Sequence, residues 1–252
     1  MALPSRTELE AIATRAGELA LRHFRHVKPE RKADRTLVTA ADREVEALLV
    51  AELGRVLPDA GIIGEEGAAR TGTGPYRIVL DPIDGTASFV AGLATWCVCI
   101  GIMDGPRPAA GVVHAPAVGE TYAAADGVAY LNGTPLPRLG GEAATGDRFI
   151  VTHARAHARH RLTYPGKIRS LGSTAYHVAL VARGAAEGAL LGHAHLWDLA
   201  APGAVLDAVG GRLEYLRGGA VDLAELADGR RAPDFLLAGT PAAIAALRAV
   251  IG

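Results

Sequence analysis

Two aspartates, Asp81 and Asp84, stand three residues apart in LDPIDGTASF, directly after the apolar run RIVL. Pro82 fixes its own φ and pushes Asp81 toward an extended backbone, so the turn can aim both carboxylates at one point. Gly85 lets the chain approach a ligand closely. Thr86 adds a hydroxyl, and ASFVAG reads as the start of a short helix whose free N–H groups suit an anion. Further acids sit where a strand ends or a helix begins: Asp42 in LVTAAD, Glu65 and Glu66 in IIGEEG, and Asp198 in HLWDLAAPG. Singly, each has a plain structural reading. Asp42 suits the first turn of a helix after Thr39, Asp198 suits an N-cap, and the glutamates suit a solvated loop. Together they form a hard oxygen donor set without His or Cys, which favours Mg²⁺ over zinc. Such a group of carboxylates repels itself strongly unless cations neutralise it. A dinuclear Mg²⁺ site acting on a phosphate is the economical reading.

The elements that must position these residues are legible in the pattern. Ser5-Arg6-Thr7-Glu8 has the form of a capping box. Leu9, Ile12, Ala13, Ala16, Leu19 and Ala20 then recur at helical spacing, predicting a helix to about His23. A second helix follows Thr39, with Val45, Leu48, Leu49, Leu53 and Val56 on its apolar face and Pro58 at its end. Strands are predicted at 76–80, 95–103, 109–114, 121–125 and 128–131, the later ones as an antiparallel meander. Residues 136–147 carry few apolar side chains and mark a soft boundary. Beyond it, strands at 148–152, 168–171, 187–191, 212–216 and 235–238 alternate with helices at 174–183, 199–209 and from Pro241 to Val250. The expectation is a layered α+β fold. Its N-terminal half, 1–137, carries most of the acids, and its C-terminal half, 138–252, completes one compact unit.

The totals exclude some classes of function. Lys plus Arg is 26 and Asp plus Glu is 27 in 252 residues, so no basic excess points to nucleic acid. No apolar run is long enough to span a membrane, and the N-terminus lacks the pattern of a signal peptide. The only cysteines, Cys97 and Cys99, share one face of an apolar strand and read as core residues, in keeping with a cytoplasmic protein.

DPIDGTASF and WDLAAPG match the two signatures of the inositol monophosphatase family, and the chain resembles that family over nearly its whole length. LVTAAD and GEE fall in the family's order, and RSLGSTA is similar to its substrate-loop segment. The resemblance implies the layered αβαβα fold of fructose-1,6-bisphosphatase. It also implies a phosphomonoesterase with two or three Mg²⁺ per subunit, Mn²⁺ being a possible substitute. Glu65, Asp81 and the Ile83 carbonyl would hold the first ion, and Asp81, Asp84 and Asp198 the second. Asp42 and Thr86, with Glu65, would be catalytic, orienting and deprotonating the attacking water. Gly85 and Thr86 would bind phosphate, Glu66 would stand behind the ligands, and Lys32 would approach the phosphate. Gly172, Ser173 and Thr174, with Asp84 and Asp198, would meet the substrate. The family's inositol-specific members carry a Glu seven residues before the W-D aspartate; here that position is Leu191, which removes one polyol contact. Histidinol phosphate, fructose 1,6-bisphosphate and 3′-phosphoadenosine 5′-phosphate therefore stand beside inositol 1-phosphate as substrates. The resemblance further implies a homodimer and sensitivity to Li⁺. A non-catalytic binding protein on the same fold is the remote alternative. His193 and His195 read as lining the substrate pocket or packing, rather than binding zinc. The run HARAHARHR reads as a solvated face.

Overall fold

The computed structural model describes residues 3–33, 35–140 and 149–252. Most of the sequence-predicted boundary, together with Arg148 of the first C-terminal strand, lies outside the described residues. Helices α1 (Arg6–His23) and α2 (Ala40–Val56) enclose a ribbon of β1 (Glu30–Arg31) and β2 (Leu37–Val38) between them in sequence. Strands β3 (Gly61–Gly64), β4 (Ala69–Arg70) and β5 (Tyr76–Asp84) lead to the short helix α3 (Thr86–Val90). A meander follows: β6 (Cys97–Asp104), β7 (Arg107–Ala115), β8 (Glu120–Ala125), β9 (Val128–Leu131) and β10 (Thr134–Pro135). Next come β11 (Phe149–Thr152), α4 (Ala156–Arg159), β12 (Lys167–Arg169), α5 (Thr174–Ala182), β13 (Ala189–Leu191) and α6 (Leu196–Ala208). The chain closes with β14 (Arg212–Tyr215), a 3₁₀ turn at Leu223–Leu226, β15 (Leu236–Gly239) and α7 (Pro241–Val250).

Two sheets organise the layers. One has eight strands in the order β10-β9-β8-β7-β6-β5-β3-β4, and the other has five in the order β12-β11-β13-β15-β14. Helices α1 and α2 cover one face of the large sheet, with Leu9, Leu49, Leu53, Ile78, Leu80 and Ile100 in their shared core. Helices α5 and α6 lie between the sheets, where Cys97, Cys99, Val113, Val178 and Leu199 are buried. Helix α7 packs outside the small sheet through Ile244 and Leu247. The result is the αβαβα sandwich. Both capping boxes at the N-terminal side are closed: Ser5 with Glu8 at α1, and Thr39 with Asp42 at α2.

Three elements differ from the sequence expectation in ways that matter for the site. Strand β5 runs on through Asp84 instead of stopping at Leu80. Pro82 and the residue before it are both at home in extended backbone, and the missing Pro82 N–H is absorbed where the pairing with β6 shifts between Asp81 and Asp84. Helix α6 begins at Leu196, with His195 as N-cap, so Asp198 is its third residue rather than its cap. The small sheet is mixed, since β13 pairs with β11 in parallel and with β15 antiparallel. Helix α6 crosses the large sheet at unusually short range. A Cβ on Gly101 would lie 2.7 Å from the Ala200 Cβ, and one on Gly111 would lie 2.5 Å from the Ala201 carbonyl oxygen.

Candidate active site

The C-terminal end of β5 and the first turn of α6 bring Asp81, Asp84 and Asp198 together, with one oxygen of each within 4.8 Å of the others. Asp81 and Asp84 are only 1% and 5% exposed, while Asp198 keeps an edge on a cavity. Asp81 Oδ1 is buried and has no hydrogen-bond partner. Leaving a carboxylate oxygen in that state is costly, so the donor set fits a hard cation. The protonation equilibria say the same. Burial first, then the charges of Glu65, Asp84 and Asp198, push the Asp81 carboxyl well above the usual range. Burial also moves Asp84 up to about 6, against the pull of its hydrogen bonds from Ser173, Ala175 and Thr174. Asp198 rises to about 8 through burial and then the charge of Asp84.

Each carboxylate has a local reason for its pose. Asp84 is gripped by the start of α5, accepting from the Ser173 hydroxyl, from Ala175 N at 2.7 Å and from Thr174 N at 3.3 Å. Ser173 Oγ also caps α5 by accepting from Tyr176 N at 3.0 Å. Ser173 is fully buried, and its hydroxyl is committed to Asp84. Thr174 does line the cavity. Asp198 Oδ2 accepts from His195 N at 2.6 Å, closing the first turn of α6. Gly172 and Gly85 both have positive φ, at 88° and 92°. A Cβ on Gly172 would sit 2.1 Å from Ser88 Oγ, and one on Gly85 3.1 Å from the Gly172 carbonyl oxygen, so the two loops touch backbone to backbone.

A second chain of contacts runs from α2. Asp42, fully buried, accepts from Thr39 N at 2.8 Å and from Thr39 Oγ1 at 2.6 Å. Its other oxygen lies 3.3 Å from the Thr86 hydroxyl, which is also 3.1 Å from the Ile83 carbonyl oxygen. Burial raises the Asp42 pKa, opposed by the two Thr39 bonds. Lys32 sits opposite, with Nζ 2.9 Å from Glu65 and 2.7 Å from Glu66. Burial alone would lower the Lys32 pKa, but the two glutamates outweigh it and raise it. Glu66 moves up to about 7, burial exceeding the help of Lys32. Glu65 thus neighbours Asp81 while an oxygen is held by Lys32, and it stands just outside the trio of aspartates. Sequence reading missed Glu46. It points off α2 to accept from Glu66 N and Ala68 N, each at 2.9 Å, and so fixes the GEEG turn. An acid on the apolar face beside Val45 and Leu49 was the available signal.

Glu65 and Asp198 open onto a cavity of about 410 Å³ that is also lined by Lys32, Thr174, His153, His193, His195, Trp197 and Arg231. Leu191 takes no part; it is 1% exposed within β13. The histidine-rich run is only partly a solvated face. Arg155, His157 and Arg159 are exposed, but the rings of His153 and His160 pack on Phe235 at 5.2 and 4.4 Å. Burial lowers His153 to about 4. A larger cavity, of about 660 Å³, lies beside α7; its carboxylate, Glu187, is taken up by Tyr164, and neither Glu65 nor Asp198 lines it.

Fold and site together define a phosphatase of the layered αβαβα class, a phosphoric monoester hydrolase. The pattern of the inositol monophosphatase family matches residues 4–246, and the chain belongs to that family. It is 36% identical over 225 residues to a histidinol-phosphatase of Mycobacterium tuberculosis, covering 82% of this chain and 86% of that one. It is 34% identical over 223 residues to inositol monophosphatase 1 of Solanum lycopersicum, covering 80% of each. The solved structure of a Thermotoga maritima IMPase superposes with a TM-score of 0.84 at 26% identity, over 97% of this chain and 96% of that one.

Proposed function

We propose that the chain is a Mg²⁺-dependent phosphomonoesterase that frees phosphate from a small phosphorylated alcohol by attack of water. The observation that carries this is the enclosed trio Asp81, Asp84 and Asp198, with an Asp81 oxygen left without a partner. Glu65, Asp81, Asp84, Asp198 and the Ile83 carbonyl are the groups that would hold the metal. Bound Mg²⁺ would neutralise the phosphate dianion and make water more acidic. The protein's own part is positioning and proton transfer. Asp42, pinned by Thr39, takes the proton of the attacking water through the Thr86 hydroxyl, and its raised pKa suits it to that task. The N–H groups of Gly85 and Thr86, at the start of α3, bind phosphate oxygens. Lys32, held between Glu65 and Glu66 at the rim of the site, would face the phosphate.

Inositol 1-phosphate is the family's default substrate, and the buried Leu191 is the observation that keeps histidinol phosphate, fructose 1,6-bisphosphate and 3′-phosphoadenosine 5′-phosphate beside it. Family resemblance also supports a homodimer and inhibition by Li⁺, and the two buried, unpaired cysteines suit a cytoplasmic setting. The division into halves at 137/138 follows the change from one sheet to the other. The test is phosphate release from these esters with Mg²⁺ and with chelator, for the wild type and Asp81→Asn. Release that is equal with chelator, or undiminished in the variant, would overturn the reading.

A further inference from the structure

The geometry points to a leaving-group subsite built from imidazole acceptors. In it His193 and His195 determine specificity, favouring phosphate esters of alcohols whose other polar groups donate hydrogen bonds. The inference rests on the phosphatase reading above, because it concerns the far wall of the same cavity. His193 Nδ1 lies 2.9 Å from the Ala232 carbonyl oxygen, and His195 Nδ1 lies 2.9 Å from the Gly229 carbonyl oxygen. A carbonyl only accepts, so each Nδ1 carries the proton. In the neutral ring Nε2 is then an acceptor; the protein contacts recorded for these rings are to the Ala232 carbonyl for His193 and to the backbone of Gly229 and Arg230 for His195, all on the one loop.

The tautomers are fixed by a clamp. Ala232 N donates to the Ala194 carbonyl at 2.7 Å, so the 229–232 loop grips the HAHLW segment at three points. The His195 ring is stacked on Trp197 at 4.4 Å and 14°, which holds its plane. His193 leans on Phe235 at 4.5 Å. His153 lines the same cavity, and its Nε2 is buried without a partner. Three imidazoles therefore edge the space where the alcohol must lie, and the two clamped ones offer it lone pairs. A site built to receive donors discriminates strongly against a group that lacks them. A second phosphate or a carboxylate would meet those lone pairs unfavourably. Arg231, on the clamp loop, lines the same cavity.

The probes are inositol 1-phosphate for hydroxyl donors, histidinol phosphate for N–H donors, fructose 1,6-bisphosphate for a second anion, and propyl phosphate with no such groups. The readout is the ratio of kcat/KM for each ester to that for propyl phosphate. In His193→Phe and His195→Phe the ratio for the better donor-bearing ester falls about tenfold, and His195→Gln, which keeps an acceptor, recovers part of it. The preference between the first two probes tells hydroxyl from N–H donors. Imidazole ¹⁵N shifts in the wild type show both rings protonated at Nδ1, with Nε2 moving as myo-inositol or histidinol is added. Ratios unchanged in both Phe variants, a bisphosphate preferred by the wild type, or rings protonated at Nε2 would each overturn the inference. No release from any ester, propyl phosphate included, would instead sink the phosphatase reading, and the ¹⁵N shifts would still judge the clamp.

Discussion

Replacing Asp198 by Asn separates what the acid cluster costs the fold from what it does for the reaction. The Asp198 carboxyl titrates near 3.8 in a free chain and at about 8 in the folded protein. Between those values the folded state binds the extra proton, so the stability of the metal-free protein falls as pH rises. The three aspartates titrate as a unit. At 1.36 kcal/mol per pH unit, the loss from pH 6.5 to 8 is about 2 kcal/mol. That figure is a ceiling, because Asp198 keeps an edge on the open cavity, where solvent screens it. The window is chosen above 6.5 because His114 and His177, lowered by burial to about 4, favour the folded state as pH rises below it. Asn keeps an oxygen to accept from His195 N, so the first turn of α6 survives. Urea unfolding in excess chelator should show wild-type stability declining from pH 6.5 to 8, and Asp198→Asn declining by up to about 2 kcal/mol less. With saturating Mg²⁺ the wild-type slope should reverse, because the metal takes the ionised form, and the variant should lose phosphate release. A metal-free wild type as steep as its variant would refute the reasoning, since the carboxylate would not be held protonated by its neighbours.

Three further outcomes follow from the contacts around the cluster. Ser173→Ala removes both the α5 cap and a donor to Asp84, and should cost about 1–2 kcal/mol in urea unfolding. Thr86→Val keeps the shape but breaks the link from Asp42 to the attacking water; kcat should fall about 10²–10⁴-fold while the thermal midpoint moves little. Lys32→Met leaves Glu65 and Glu66 facing each other, and should lower metal-free stability by roughly 1–3 kcal/mol, with Mg²⁺ restoring part of it in calorimetry.

Local signals were enough to locate the main elements. The α1 capping box, the apolar faces of α1 and α2 and the meander from β6 to β9 are all written in short-range patterns, and the structure realises them with shifts of a few residues. The convergence of Asp81 and Asp84 was legible because proline and glycine constrain a tetrapeptide. Long-range commitments were not legible. Nothing near Ser173 shows that its hydroxyl belongs to Asp84, 89 residues away. Nor does GHAHLWD reveal that its imidazoles are set by carbonyls of the 229–232 loop, 34 to 39 residues on. The alternation of strand and helix suggested a regular C-terminal half, but it does not encode that β15 runs antiparallel to β13. Burial of an acid such as Glu46 depends on a turn 20 residues later that needs its oxygens.

The close crossing of α6 over the large sheet sets a mechanical tolerance. Asp198 rides on the helix and Asp81 and Asp84 on the sheet, and where the two parts meet at Gly101 and Gly111 only backbone and alanine methyls separate them. The joint has no long side chain to compress or repack, so the distance between the acids is fixed by atomic contact of the main chains. Drift in the surrounding cores, through exchanges among Leu, Val and Ile, leaves that gauge unaltered. A single added methyl at Gly111 acts as a shim instead, lifting Asp198 away from its partners as one rigid piece.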